Sequence, residues 1–120
     1  MAKKILVVED DELNRKLFVS VLLEKGYEVL EAANGLEAIS AIKSESPSLI
    51  LMDVILPEMT GIEVLKICKD ERLLDNIKIY ALTAASMPAL YEAGFDGIIT
   101  KPVKIKEFLR IINDVFEGRG

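Results

Sequence analysis

Carboxylates, lysines and hydroxyls supply nearly all of the reactive side chains in this 120-residue chain, which has no histidine and one cysteine. Without histidine, the chain cannot build a Ser-His-Asp triad, a Cys-His pair or a histidine-ligated metal centre. With Cys68 as its one cysteine, it cannot build an intrachain disulfide, a cysteine-rich zinc site or an iron–sulfur cluster. Any chemistry in this protein must therefore be carboxylate chemistry.

Polar residues directly follow four of the five predicted strands. They are, in chain order, Glu9 and Asp10 after the first strand, Asp53 after the third, Thr83 after the fourth and Lys101 after the fifth. In open parallel sheets the binding crevice lies outside the carboxyl ends of the strands, at the point where the strand order reverses. These residues are therefore expected to gather at one edge of the sheet.

Three of these residues are acids, and bringing them together is unfavourable unless a cation joins them. Carboxylates about 5 Å apart repel by about 3 kcal/mol per pair at an effective dielectric constant near 20. Glu9, Asp10 and Asp53 contribute a charge of −3 and Lys101 contributes +1, and the remaining −2 is the charge that one divalent cation neutralises. Oxygen ligands alone favour Mg²⁺, and the backbone carbonyl of Ile55, two residues past Asp53, is a candidate further ligand.

Short apolar runs alternate with longer segments of helical spacing five times along the chain. The first and third runs are almost continuously apolar, which is typical of central strands covered on both faces. Alternating strands and helices favour right-handed crossovers and a doubly wound parallel sheet. We therefore predict a flavodoxin-like α/β fold with strand order 2-1-3-4-5. The predicted strands cover residues 4–8, 28–32, 49–52, 78–82 and 97–100.

Turn and capping residues delimit the predicted helices. The first, about residues 12–25, follows Asp11, whose side chain is expected to cap it, and the second covers about residues 36–44. The third follows a glycine and is expected to bury one face, formed by Ile62, Leu65 and Cys68. The last carries an apolar stripe with helical spacing, formed by Ile105, Phe108, Leu109, Ile112 and Phe116.

The charge and hydropathy of the chain exclude several classes of partner. A net charge of −5 is opposite to the basic surface of nucleic-acid-binding proteins, so we expect no direct nucleic-acid contact. The longest stretch without a charge, residues 79–91, has 13 residues, fewer than the roughly 20 that a membrane-spanning helix needs. The apolar run near the N-terminus is too short for a secretory signal. We expect a cytoplasmic protein without membrane insertion, in which residues 1–120 form one monomeric domain.

Four segments carry a resemblance to a known family. In chain order they are residues 5–11 (ILVVEDD), 51–61 (LMDVILPEMTG), 82–84 (LTA) and 100–102 (TKP). As an ordered set they resemble the receiver domains of two-component response regulators, and the similarity extends over the whole chain. Within that family, the chain is most similar to stand-alone receivers of the cell-cycle regulator type.

The resemblance implies a role for each polar residue at the predicted sheet edge. Asp53 would accept a phosphoryl group from a phosphohistidine on a sensor histidine kinase, or relay it to a histidine phosphotransfer protein. Asp10 and Asp53 would bind Mg²⁺ directly, and Glu9 would bind it through water. Thr83 and Lys101 would each bind a phosphoryl oxygen, and the bond between Lys101 and the following proline would be cis. Family members assist both their own phosphorylation and their own dephosphorylation, which is slow, but they are signalling proteins rather than enzymes.

The chain departs from the family in three places. Ile98 lies where the family usually has an aromatic residue whose ring moves on phosphorylation. The interval from Thr83 to Lys101 spans 18 positions, about four fewer than usual, so we predict a shortened fourth helix at residues 88–93. We also predict slow self-dephosphorylation, because the two residues at water-orienting positions are apolar. These residues are Ile55 and Ala85.

Two other functions are compatible with part of this pattern. A receiver-like interaction module that works without phosphorylation is permitted by the short fourth helix, but the intact set of polar residues argues against it. A phosphatase of the haloacid-dehalogenase kind also combines an aspartate nucleophile, Mg²⁺ and lysine on a parallel sheet. The acids after the first strand lack that family's Asp-x-Asp order, and 120 residues leave no room for its cap domain.

Overall fold

A computed structural model describes residues 3–84 and 88–118 of the chain. In these ranges five strands alternate with five helices, and every predicted strand agrees with the structure to within one residue at each end. The elements are β1 (Lys4–Val8), α1 (Glu12–Glu24), β2 (Glu28–Ala32), α2 (Gly35–Glu45), β3 (Leu49–Asp53), α3 (Gly61–Asp70), β4 (Lys78–Thr83), α4 (Pro88–Ala93), β5 (Gly97–Thr100) and α5 (Ile105–Glu117).

The five strands form one parallel sheet with the order β2-β1-β3-β4-β5, which confirms the predicted flavodoxin-like topology. Strand β3 lies at the centre, and all five of its residues are buried. Strand β1 lies between β2 and β3, so both apolar runs are central strands, as predicted. The strand order reverses between β1 and β3, and a crevice is expected at their carboxyl ends.

Alternate residues of the strands enter two hydrophobic cores, one on each face of the sheet. Helices α1 and α5 complete one core, in which the rings of Phe18 and Phe108 stack with their centroids 5.2 Å apart. Helices α2, α3 and α4 complete the opposite core. The sheet is therefore covered on both faces, as a doubly wound fold requires.

Three of the predicted site residues lie two positions after a strand residue of the core that α1 and α5 complete. They are Glu9, Asp53 and Lys101. Those strand residues are Val7, Leu51 and Ile99. Since side chains two residues apart in a strand share a face, the three site residues lie on the same side of the sheet. The strand period thus explains how side chains 92 positions apart in the sequence come into contact.

Helix α3 differs from the prediction in the face that it buries. Ile62, expected in the core, is 36% exposed. Gly61 packs against the backbone at the end of β3, and Ile62 lies at the edge of the face that is buried there. Cys68 is buried as predicted, and burial raises the pKa of its thiol to about 11. The buried residues of α3 are Gly61, Val64, Leu65 and Cys68.

The last two helices follow the predicted pattern. Helix α4 has six residues, with Leu90 buried. The apolar stripe of α5 faces the core, where Phe108 and Ile112 are fully buried. Ala85, one of the two predicted apolar positions beside the site, lies outside the described residues. Among the helices of residues 3–84 and 88–118, none has the length and hydropathy needed to cross a membrane.

Candidate functional site

The carboxyl ends of β1 and β3 bring three acids together, as the sequence predicts. Glu9 is 1% exposed and Asp53 is 6% exposed, whereas Asp10 lies at the surface. Each acid has a carboxylate oxygen within 4.8 Å of an oxygen of the other two. Three carboxylate oxygens at this spacing can bind one cation, and a set of oxygen ligands suits Mg²⁺.

The Asp53 carboxylate is held through both of its oxygens. Oδ1 accepts a hydrogen bond from the Ile55 backbone N–H at 2.9 Å, and Oδ2 lies 2.7 Å from the ammonium of Lys101. A hydrogen bond from the Val54 N–H to the Leu82 carbonyl at 3.2 Å holds the backbone that follows β3. The carboxylate therefore has a defined orientation at the end of a fully buried strand.

Lys101 enters the site from the loop after β5. Its backbone N–H donates to the Thr83 carbonyl at 2.7 Å, and its ammonium donates to Glu9 Oε1 at 3.1 Å as well as to Asp53. Burial opposes the charge of Lys101, but the bonds to Asp53 and Glu9 outweigh burial and raise the pKa of its ammonium. The bond between Lys101 and Pro102 is cis, as predicted. Lys101 is therefore a cation built into the site rather than half of a surface ion pair.

One ammonium does not neutralise three acids, and Glu9 shows the consequence. Burial and the neighbouring Asp53 carboxyl raise the pKa of Glu9 to about 7, although Lys101 acts in the opposite direction. A proton on Glu9 thus offsets part of the excess negative charge near neutral pH. A divalent cation held by the acids would offset the same charge, so the residues present fit the Mg²⁺ predicted from the sequence.

Gly61 sets how closely helix α3 approaches Asp53. A Cβ atom on Gly61 would lie 2.6 Å from the Asp53 carbonyl oxygen and 3.0 Å from Val54 Cα. The Gly61 N–H donates to the Val54 carbonyl at 2.8 Å, and Thr60 and Glu63 form a capping box at the start of the helix. In the sequence Gly61 precedes a helix and ends a segment of the family resemblance, but in the structure any larger residue there would displace the backbone of Asp53.

The loop between β1 and α1 is held by two residues of the helix start. Asp11 caps α1 as predicted, because its side chain accepts from the N–H groups of Leu13 and Asn14. Arg15, which no motif in the sequence marks, donates from Nη1 to the Glu9 carbonyl at 2.9 Å. The sequence contains one indication of this contact, which is that Arg15 is a cation in the first turn of the helix that follows the acids.

These elements enclose a cleft of about 320 Å³ at the predicted edge of the sheet. All five polar residues predicted from the strand ends line this cleft, and Thr83 is partly buried there at the end of β4. The side chain of Ile55 is 80% exposed beside it. The Ile55 N–H bonds to Asp53, and the use of the Ile55 carbonyl as a metal ligand stays a prediction.

Ile98 lies in β5, opposite Ala81 of β4. Its side chain is partly buried against the core that α2, α3 and α4 complete. An isoleucine at this position fills space in the core but has no ring or hydroxyl to exchange between buried and exposed positions.

Comparison with known proteins agrees with this geometry. The family model of the response regulator receiver domain matches residues 5–113. The chain is 40% identical over 116 residues to the polar-differentiation response regulator DivK of Brucella anthropi, with 93% of this chain and 94% of that protein covered. It superposes on the chemotaxis response regulator CheY4 of Vibrio cholerae with a TM-score of 0.89 at 28% identity, covering 96% of this chain and 99% of that one.

A further solved structure adds a metal to the comparison. It is the receiver domain of a sensor histidine kinase from Pseudomonas aeruginosa, which has a magnesium ion coordinated in its active-site cleft. The TM-score is 0.84 at 29% identity, with 94% of this chain and 96% of that chain covered. From the match of fold, cleft and sequence, this chain belongs to the response regulator receiver domains of two-component systems, a family of signalling domains rather than of enzymes.

Proposed function

We propose that Asp53 accepts a phosphoryl group from a phosphohistidine of a sensor histidine kinase. The observation that most directly supports this role is the buried Asp53 carboxylate, bonded to Lys101 and placed beside two further acids. Like charges gathered in a buried place oppose folding, so their proximity is better explained by binding or chemistry than by stability. The absence of histidine from the chain also fits, because the donor histidine belongs to another protein.

The transfer requires a nucleophilic oxygen and groups that bind the moving phosphoryl oxygens. An ionised oxygen of Asp53 forms a bond to phosphorus while the bond from phosphorus to the histidine nitrogen breaks and its electron pair returns to the imidazole. The product is an aspartyl phosphate. Lys101 has three N–H donors, so it can bind a phosphoryl oxygen and keep a contact with a carboxylate. The hydroxyl of Thr83 would donate to another phosphoryl oxygen.

The acids of the cleft are the proposed Mg²⁺ ligands. Asp10 and Asp53 would hold the ion directly, the Ile55 carbonyl would be a further ligand, and Glu9 would act through water. When bound, Mg²⁺ supplies positive charge that stabilises the phosphoryl oxygens. The partly buried Lys101 ammonium, bonded also to the buried Glu9, holds the Asp53 carboxylate on the cleft side of β3.

The signal leaves the cleft by protein–protein interaction. A phosphoryl group adds about one unit of negative charge at Asp53 and brings new acceptor oxygens, which favour one conformation of the region around Thr83 and Lys101. Because Ile98 has no ring, this change reaches the surface without the aromatic movement usual in the family. In this proposal the protein is a cytoplasmic monomer. It contacts a sensor histidine kinase or a histidine phosphotransfer protein, and it contacts no nucleic acid.

The phosphorylated state is proposed to be long-lived. Ile55, 80% exposed beside the cleft, has no polar group to orient water toward phosphorus. Replacing it by asparagine in Ile55→Asn should speed self-dephosphorylation several-fold, measured as the decay of the phosphorylated protein after the donor is removed. An unchanged rate would refute this explanation of the lifetime.

Intact mass spectrometry after incubation with Mg²⁺ and acetyl phosphate tests the proposed acceptor. We expect one phosphoryl adduct that requires Mg²⁺ and disappears in Asp53→Asn. The matched control is Asp11→Asn, which changes an acid of the same cleft that caps α1 instead of facing the reaction; this variant should keep the adduct. A folded protein that forms no adduct, or an adduct that survives in Asp53→Asn, would overturn the proposal and favour an interaction module that works without phosphorylation.

A further inference from the structure

Arg15 connects the acids after β1 to the neighbouring strand β2. Its Nη1 donates to the backbone carbonyl of Glu9 at 2.9 Å, and its Nε donates to Glu31 Oε1 at 3.0 Å. The side chain is only 14% exposed, although it carries a charge and lies in the first turn of α1. The planar guanidinium can donate in two fixed directions at once, which suits a bridge between two acceptors.

The carbonyl that Arg15 binds is the oxygen of the peptide unit between Glu9 and Asp10. The N–H of Glu9, in the preceding peptide unit, donates to the Ala32 carbonyl of β2 at 3.1 Å. Because a peptide unit is planar, holding the Glu9 oxygen also fixes the Cα of Asp10 relative to the sheet. The exposed Asp10 has no burial to hold it in place, so its position depends on the backbone that Arg15 restrains.

Glu31 in turn holds the guanidinium in place. It lies on β2 opposite Val7, two residues before Glu9, so the support for Arg15 comes from the strand that already pairs with β1. Lys16 also contacts Glu31, with its ammonium 3.1 Å from Oε1. Lys16 has the same charge as Arg15 and shares its partner, but it is 57% exposed, and the structure gives it no bond to Glu9.

We infer that Arg15 is a positioning residue for Mg²⁺ binding, which places the Asp10 ligand by bridging Glu31 to the Glu9 carbonyl. This inference rests on the proposed function, because it takes Asp10 as a ligand of the ion. Groups that orient metal ligands from outside the ligand set commonly contribute 10- to 100-fold to metal affinity. Arg15 therefore affects the ion through the backbone and not through its own charge.

Charge and positioning predict opposite results when Arg15 is removed. Deleting a cation near an acidic site should strengthen Mg²⁺ binding if charge alone acted. Loss of positioning should weaken it, and only in the variant that loses the bond to Glu9. Arg15→Met and Lys16→Met change the net charge equally, and each removes one cationic partner of Glu31, so they separate the two effects.

The experiment measures the Mg²⁺ dissociation constant by calorimetric titration of the whole chain, with the backbone amide NMR signal of Asp10 followed in parallel. We expect roughly tenfold weaker binding and a displaced Asp10 signal in Arg15→Met, and at most a twofold change in Lys16→Met. Arg15→Lys should be intermediate, because one ammonium cannot bridge both acceptors. Equal shifts in Arg15→Met and Lys16→Met, or unchanged affinity in Arg15→Met, would overturn the inference.

A second variant and the Mg²⁺ binding of the unmodified chain keep the test decisive. Should Arg15→Met fail to fold, Glu31→Met leaves Arg15 in the chain and removes the oxygen that its Nε bonds to, and it should weaken Mg²⁺ binding in the same direction by a smaller factor. Unchanged affinity in folded Glu31→Met would then overturn the inference. An unmodified chain that binds no Mg²⁺ would overturn the metal site itself, whereas normal binding in the unmodified chain and in Arg15→Met would overturn only the role of Arg15.

Discussion

The acidic cleft and helix α4 lie on one sheet but are held by different kinds of contact. In the cleft, the Lys101 ammonium bonds to both Glu9 and Asp53 within 3.1 Å. Helix α4 has six residues, and its buried side chain, Leu90, packs in the opposite core. A helix this short depends on tertiary packing rather than on its own hydrogen bonds.

This difference separates the residues of the proposed chemistry from a short helix on the opposite face of the sheet. Charged groups from the ends of three strands fix the acceptor, and phosphoryl transfer is sensitive to small displacements of such groups. Few buried contacts hold α4, so this segment is expected to open at a lower free energy than the central strands. Phosphorylation should therefore tolerate changes in α4 and respond strongly to changes around Asp53.

The largest expected effect comes from the cation of the cleft. Lys101→Met removes the donor to Asp53 and to the transferring group, so phosphorylation by acetyl phosphate should slow by about 100-fold. The rate is measured by intact mass against time. Lys104→Met, which changes an exposed lysine a few residues further along the same loop, should leave the rate within about twofold. Equal rates in the two variants would show that the contact with Asp53 does not matter.

A smaller effect is expected where α3 meets the acceptor strand. In Gly61→Ala the added Cβ would meet the Asp53 carbonyl at 2.6 Å, so the backbone must move. We expect a loss of about 1–3 kcal/mol in the free energy of unfolding and a roughly tenfold slower phosphorylation.

Gly118→Ala is the matched control for Gly61→Ala. Gly118 has a φ of 75° but nothing within 4 Å of an added Cβ. Its replacement should cost about 1 kcal/mol through backbone strain alone, without slowing phosphorylation. A normal rate in Gly61→Ala would show that the strand tolerates the displacement.

The excess negative charge of the cleft should appear in the pH dependence of stability. Burial and Asp53 raise the pKa of Glu9 from 4.5 to about 7, so the folded state binds this proton more tightly than the unfolded state. The resulting stability is fully present below pH 4.5 and is lost as the pH rises through about 7.

Denaturant titrations in the presence of a chelator test this sign. Relative to the unmodified chain, Glu9→Gln should lose the part of the decline in unfolding free energy that lies between pH 4.5 and about 7. Glu24→Gln, at an exposed position of α1, should keep it. Parallel curves for the unmodified chain and Glu9→Gln would contradict the raised pKa.

The smallest effect on chemistry is expected in α4. Leu90→Ala opens a cavity at a fully buried site and should lower the free energy of unfolding by about 2–4 kcal/mol. Measured at a temperature where the variant is folded, its phosphorylation rate should stay within about twofold of the unmodified chain. A loss as large as that of Lys101→Met would remove the distinction between the two regions.

The sheet and the composition of the cleft could be predicted because local patterns determine them. Period-two and continuous apolar runs identify strands, and the end of each strand identifies the residues that meet at one edge. The family resemblance then supplied a role for each of these residues. The ion pairs of Lys101 with Glu9 and Asp53 follow from that placement.

The features that could not be predicted depend on contacts between distant residues. Arg15 resembles any other surface cation until β2 brings Glu31 to it. The close approach of Gly61 to Asp53 depends on how α3 packs against the end of β3, and the same packing leaves Ile62 exposed. Neither geometry has a signal in the spacing of the residues themselves.

Locating the phosphoryl group tests the central claim most directly. Borohydride reduction of the chain after incubation with Mg²⁺ and acetyl phosphate converts an aspartyl phosphate to homoserine, which peptide mass spectrometry assigns to a position. We predict conversion of Asp53 that depends on Mg²⁺. Conversion of Asp10 or Asp11 instead, or no conversion of a folded chain, would contradict the assignment of Asp53 as the phosphoacceptor.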